Sequence, residues 1–286
     1  MSTVKFHVSP GRRLVLLFLC FLLGAIVTAL VSGLLLQIGG AARQLAMLRI
    51  GAVVQDVVML VLPAVATAMI VTRNAAGLLA IDTRPSGRML FWALAAMIVS
   101  MPAMSYIIEL NASVTFPESL RGLEQTLRQM EANAAGSIAF MMGPHTVGNL
   151  IMNVLIIGLF AGFAEELLFR GALQRLLQST HMSPAAAVWL AAIVFSAVHF
   201  QFFGFVPRLL LGAFFGYLLL WSGSVWLAVA AHAFNNVMYV LLTYLTGSGD
   251  PQIVHESVAP WVFPLLSAVL TAVCLVALYR SRRIDA

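Results

Sequence analysis

Eight apolar runs, at about 14–36, 50–71, 89–108, 148–178, 184–202, 206–221, 224–245 and 260–279, constrain the fold before anything else. Most approach the ~20 residues that a helix needs to cross the hydrocarbon core of a bilayer. Lipid offers no hydrogen bonds, so each backbone N–H and C=O must be satisfied within the protein. A lone span can do that only as a helix. The expectation is an all-α, polytopic transmembrane helix bundle of about eight spans, forming a single membrane domain over residues 1–286. Composition agrees: 9% of the residues are charged, against about 25% in a soluble domain. The fourth run is long enough to project beyond the bilayer, and the sixth is short. Loops are expected at 37–49, 72–88 and 246–259, where Gly, Pro, Ser or charges gather.

Between the third and fourth runs the chain turns polar, from Glu109 to Met130. Leu120, Leu123, Leu127 and Met130 recur there at helical spacing, which predicts a short amphipathic surface helix. The net charge of +5 and pI near 9.8 would suit a nucleic-acid partner. The basic residues are instead scattered at span ends, where they serve as topology signals and as contacts for lipid phosphates. Membrane lipids are therefore the expected partners, and nucleic acid is not. If eight spans alternate, Lys5, Arg12, Arg13, Arg73, Arg84, Arg88, Arg170, Arg175, Arg280, Arg282 and Arg283 share one side. The excess of positive charge places both termini in the cytoplasm, with a bacterial plasma membrane as the expected location. The run after Lys5, Arg12 and Arg13 exceeds the ~7–15 residues of a signal-peptide core, so it reads as a retained span. Cys20 and Cys274 sit singly in apolar runs, with no pairing or metal pattern between them.

The fourth run carries charges that lipid penalises. It reads LIMNVLIIGLFAGFAEELLFRGALQRLL over 150–177. Each buried charge costs roughly 2.5–3.5 kcal/mol even on the lenient insertion scale, so Glu165, Glu166 and Arg170 require a reason. Residues four apart share a helix face, while neighbours diverge by about 100°. Arg170 can therefore pair with Glu166 and leave Glu165 free to titrate. A partly desolvated carboxylate suits a general base. A purely structural ion network explains the same three residues equally well.

Two further groups reach the same depth. The turn after the fourth run falls near Thr180 to Ser183, and Pro184 opens the next helix. Glu165 and His199, in Phe195-x-x-x-His199, each lie roughly 22–24 Å from that turn at helical rise. An antiparallel hairpin would bring them level. In His232-x-x-x-Asn236, imidazole and carboxamide share a face. Counted from the turn at Ser222-Gly223-Ser224, Asn236 lies about 18 Å along its helix. The core helices of 148–245 thus converge four polar groups within the membrane, with Asn235 and Gln201 flanking. Gly158-x-x-x-Gly162 and Gly212-x-x-x-Gly216 allow close helix packing. No H-E-x-x-H, G-x-S-x-G or Walker loop is present. Ser196 is on the same helix as His199 and cannot face it. His7, His145, His181 and His255 fall in loops or at helix ends.

The three motifs, EELLFR, FSAVH and HAFNN in that order, resemble the CPBP intramembrane proteases. That family includes the type II CAAX prenyl endopeptidases and the Abi bacteriocin-immunity proteins. The resemblance covers roughly residues 160–240 and implies hydrolysis of a peptide bond within the membrane. It implies Glu165 as the general base on water, His199 holding that water, and His232 and Asn236 stabilising the oxyanion. Glu166 and Arg170 would support the base. The implied substrate is a membrane-associated peptide or protein, C-terminally lipidated ones included. No cofactor is expected. Zinc is the rival, since one Glu and two His can ligate it, although Asn is a poor ligand and the i, i+4 histidine pair of zincins is missing. Two other classes stay open: a non-catalytic immunity or scaffold protein of the same fold, and a transporter relaying protons through Glu165. A transporter should show repeat symmetry, which the chain lacks. Simple alternation puts His199 near the outer surface, whereas CAAX-type enzymes act on cytosolic termini.

Overall fold

Helix ends in this chain fall where glycine, proline and polar caps interrupt an otherwise continuous apolar sequence. In a computed structural model, residues 4–247 and 261–282 are described. Most of the expected loop 246–259, with His255, and Arg283 lie outside them.

Pro10 starts α1 (Pro10–Gln55), where its missing N–H costs nothing. A π turn (Asp56–Val61) and α2 (Leu62–Val71) follow directly. The backbone stays helical through 37–49, where a loop was expected. The chain still doubles back there. Gly24 lies against the backbone of Val58 and Met59, and Gly51 lies near the Ser32 hydroxyl. Any side chain at Gly24 would strike the Val58 carbonyl. The two membrane-length stretches of this hairpin are Pro10–Leu35 and Arg43–Val71.

A short helix, α3 (Ala75–Leu79), is capped by the Asn74 side chain, which accepts from the Gly77 N–H at 2.9 Å. It precedes α4 (Gly87–Ala112). The amphipathic helix runs later than its pattern suggested: α5 spans Arg121–Met142, and 109–112 complete α4. Pro117 and the 3-10 turn Glu118–Leu120 set that boundary. Leu120, Leu123 and Met130 are exposed, as suits a helix lying on a membrane surface.

The fourth span is interrupted twice. It comprises α6 (Val147–Asn153), a π turn (Val154–Phe160), α7 (Ala161–Glu166), a second π turn (Leu167–Gln174) and α8 (Arg175–Gln178). The next helix, α9 (Pro184–Ala197), stops well short of the expected 184–202, at 14 residues. It is thus only ~21 Å long, against ~30 Å of hydrocarbon. Three long helices remain: α10 (Phe205–Ser222), α11 (Val225–Thr246) and α12 (Val262–Ser281). Among the described residues, seven helices are long and apolar enough to cross a membrane, and α9 is a shorter apolar helix beside them. No strand occurs among the described residues; Phe6 and Thr72 form one isolated bridge.

Small residues let the fourth span meet its neighbours closely. A Cβ on Gly158 would stand 2.7 Å from a Val237 methyl, and one on Gly162 would stand 3.1 Å from the Ala233 backbone nitrogen. Both neighbours belong to α11. On α10, Gly212 and Gly216 make room for Arg170 and Gln174. Each polar side chain donates to the carbonyl of the glycine it faces, at 3.0 Å in both cases. The fourth span is thereby tied to α10 by two bonds one helical turn apart.

Candidate active site

The adjacent glutamates of α7 have opposite fates. Glu166 is fully buried, and its Oε1 lies 3.0 Å from Arg170 Nη1 and 2.7 Å from His232 Nδ1. The i, i+4 pairing expected from the sequence is present. Arg170 is itself buried, donates to Gly212, and packs its guanidinium 4.4 Å from the Phe195 ring centre. A buried pair of this kind holds only if further bonds complete both partners. Here His232 and Gly212 each add one bond and Phe195 a ring contact, while Glu166 Oε2 and Arg170 Nη1 have no hydrogen-bond partner among the described residues.

Among the described residues no Arg or Lys pairs with Glu165 as Arg170 does with Glu166. Its side chain is 19% exposed while that of Glu166 is 0%. Its Oε2 stands 3.7 Å from His232 Nε2. His232 therefore bridges the two acids. Its Nδ1 carries the proton donated to Glu166, so Nε2 is the ring atom directed at Glu165. The ring is stacked on Phe215 at 4.8 Å between centres and meets Phe195 edge-on at 6.0 Å, which fixes its plane.

His199 is not in a helix. Phe200 adopts a positive φ of 54° and ends α9 before it. The last carbonyls of α9 need partners, and the local chain supplies them. Val198, His199 and Phe200 donate their N–H groups to Val194, Ser196 and Ala197, and His199 Nδ1 donates to Phe195 at 2.8 Å. The F-x-x-x-H spacing is what lets the imidazole reach back four residues. This bond leaves Nε2 free to accept. The ring packs edge-on against Phe195 at 5.1 Å, the same phenylalanine that His232 touches. Ser196 donates its hydroxyl to the Phe205 carbonyl and is buried.

Asn236 lies one turn beyond His232. Its Nδ2 donates to the Ile157 carbonyl at 3.2 Å, within the π turn of the fourth span, and its Oδ1 accepts from Asn235 at 3.3 Å. One of its two N–H bonds remains for another acceptor. Glu165, Glu166, Arg170 and His232 are thus brought into one contact cluster. His199 joins it through Phe195, and Asn236 through the backbone of the fourth span. Gln201 is engaged apart from the acids, with its Oε1 accepting from Arg208.

The structure adds Asp56, in the π turn that packs against α7, buried and within electrostatic reach of Glu165. A solitary acid in an apolar span was a signal of the kind that singled out Glu165. Arg208 also lies within electrostatic reach of Glu165, and its guanidinium is held by Gln201 and the Gly204 carbonyl. Both histidines donate Nδ1–H to an oxygen, an arrangement that zinc ligands share. Among the described residues, however, no three His, Cys, Asp or Glu side chains gather closely enough to hold a metal ion.

Residues 146–238 match the model of the type II CAAX prenyl endopeptidase Rce1-like family. All six residues singled out from the sequence fall inside that segment. The chain is also 30% identical, over 86 residues, to an uncharacterized protein, YpbD, of Bacillus subtilis (strain 168). That match takes in 29% of this chain and 41% of YpbD, so the chain covers about two fifths of that relative's length. No solved structure matches. The resemblance drawn from EELLFR, FSAVH and HAFNN is thereby shown over this segment, and the chain is an integral, multi-pass membrane protein.

Proposed function

We propose that the chain is an intramembrane endopeptidase of the CAAX type, in which Glu165 activates water against a peptide bond of a membrane-associated substrate, C-terminally lipidated ones included. The observation that carries this reading is the asymmetry of the two glutamates. Glu166 is consumed by Arg170 and His232, whereas Glu165 is left accessible beside the same imidazole. A network built only for packing would satisfy both acids, because an incompletely paired charge in lipid is costly.

In this reading, water donates one hydrogen to Glu165 and the other to His199 Nε2. Its oxygen attacks the peptide carbon as Glu165 takes the proton. The carbonyl oxygen becomes an oxyanion, which the remaining Asn236 N–H is suited to meet. His232 can donate to it from Nε2 only when the ring carries a second proton. The C–N bond then breaks, and the proton held by Glu165 passes to the leaving nitrogen. No step needs a metal.

Purified protein incubated with membrane peptides, with and without chelator, tests this. Wild type should cleave in both conditions, and Glu165→Gln should lose ~10²–10⁴ in rate. Cleavage by Glu165→Gln at the wild-type rate would leave the scaffold reading standing. Loss on chelation would favour zinc.

A further inference from the structure

Helix α5 lies outside the segment that carries the family match, and the reaction above uses none of its residues. Between Arg121 and Phe140 only Glu124, Leu127, Glu131 and Ala134 are partly buried, and they share one helix face. Two of these four inward positions are carboxylates, and each accepts from a backbone N–H. Glu124 takes that of Phe116 at 2.8 Å, and Glu131 takes that of Phe203 at 3.2 Å. Phe203 belongs to the 3-10 turn Phe202–Gly204, which begins three residues after His199 and leads into α10. On its near side the imidazole is fixed by its bond to the Phe195 carbonyl. On its far side the chain departs through Phe200 at positive φ, with no helix to guide it. The bonding of 202–206 does that instead. Asn111, at the end of α4, donates to the Phe202 carbonyl at 3.3 Å and accepts from the Val206 N–H at 2.7 Å. Ser196 donates to the Phe205 carbonyl, and Arg208 to the Gly204 carbonyl and to Gln201. Glu131 supplies the acceptor for the Phe203 N–H, and Arg128 covers the Phe203 ring at 3.8 Å. A Cβ on Gly204 would stand 3.3 Å from Glu131 Oε1 as well as from Arg208 Nη2, so both carboxylate oxygens of Glu131 lie against this turn.

A hydrogen bond to a charged acceptor is roughly twice as strong as a neutral one. The charged acceptor among these attachments comes from α5, a helix otherwise largely exposed. We propose that Glu131 is a positioning residue for His199. By holding the Phe203 N–H it sets where the chain leaves the imidazole, and so the direction in which His199 Nε2 meets the water beside Glu165. This rests on His199 holding that water. Glu131 exchanges no proton in the reaction; it acts through the backbone alone. A displacement of about 1 Å in a reacting group can cost ~10²-fold in rate, so a bond four residues from the imidazole is near enough to matter. Through it a surface helix outside the family segment enters the geometry of the site.

Peptide cleavage by wild type, Glu131→Ala and Glu131→Gln tests this, each also made in a His199→Ala background. Glu131→Ala should lower kcat about ten- to a hundredfold and change KM by less than about twofold. Glu131→Gln keeps an acceptor oxygen and should recover kcat to within about threefold of wild type. In the His199→Ala background, replacing Glu131 should change kcat by less than about twofold, because the group it positions is gone. A merely structural role lowers kcat alike in both backgrounds, and that result overturns the proposal, as does a change confined to KM. A second readout needs no substrate. With isotope-labelled histidine, the ring-nitrogen resonances of His199 should shift in Glu131→Ala and return in Glu131→Gln, while those of His232 stay in place. If Glu131→Ala does not fold, Gly204→Ala, which presses on the same carboxylate and leaves it charged, should shift them too. Unmoved His199 resonances overturn the proposal. A wild type that cleaves no peptide overturns the protease reading instead, and the resonances still decide whether Glu131 holds the His199 ring in place.

Discussion

Two seams hold this bundle together, and they are built from different materials. Between α4 and α12 the contact includes an apolar cluster with Met89, Ala93, Met97 and Leu278, and a hydroxyl, that of Ser267, bonds across it. Pro102 interrupts α4 there, and a proline both removes an N–H and displaces the ladder around it. The Ser267 hydroxyl accepts from the Ala103 N–H at 3.2 Å and donates to the Val99 carbonyl at 2.5 Å. An undisturbed helix would join those two backbone groups to each other. One hydroxyl from a neighbouring helix thus offers hydrogen bonds beside the proline, where lipid has none to offer. Between the fourth span, α10 and α11 the seam instead holds Glu166, Arg170, Gln174 and His232, all buried. Lipid tails are as apolar as leucine, so close packing and small residues suffice to join helices. The first seam needs nothing more. The second carries charges beyond what joining helices demands, and the proposed reaction draws on that excess.

The comparison can be broken at three points. Arg170→Ala should cost the most, about 3–5 kcal/mol, because it strands Glu166 as an unpaired buried charge. Thermal unfolding in detergent would measure it. Adding Glu166→Leu in an Arg170→Met background should recover most of that stability and none of the peptidase activity. Full stability in Arg170→Ala would mean that the second seam is not held by its charges. Ser267→Ala should cost about 1 kcal/mol, a typical value for a hydrogen bond between membrane helices, and should leave cleavage intact. A large loss of cleavage would mean that the two seams are coupled.

The smallest effect lies outside both seams, on α5. The Phe116 N–H, and after it Arg128, hold the Glu124 carboxyl below its ordinary range. A carboxyl lowered on folding stabilises above its unfolded value, about pH 4.3, and that contribution fades as pH falls through the lower folded value. Protection of the Phe116 amide from hydrogen exchange should therefore exceed that in Glu124→Gln at neutral pH and converge with it in acid. Equal protection at neutral pH would show that Glu124 does not anchor the 114–116 turn to α5.

Much of this was legible in the chain. Membrane-length apolar runs gave the helices, because lipid permits a lone span no other structure. The i, i+4 spacing of Glu166 and Arg170 gave their pairing, since helix geometry alone brings them together. The turn at Thr180 to Ser183 followed from Pro184. Other features were not legible. The 37–49 segment contains glycines but keeps helical backbone, because glycine permits a loop without requiring one. Helix α9 ends at Ala197 through the backbone conformation of Phe200, which no residue type in FSAVHF announces. Leu120 to Met130 signalled an amphipathic face, but its helix continues to Met142 through a stretch without that periodicity.

The sequence by itself determined that this protein crosses the membrane repeatedly, where its acids lie, and which glutamate can meet Arg170, because those follow from local geometry and the cost of charge in lipid. Only the tertiary structure decided that His232 spans both glutamates, that Phe195 lies against both histidines, and that Asp56 comes within reach of Glu165. Those relations join residues far apart in the chain, and their distances are fixed by how closely glycines let one helix approach another.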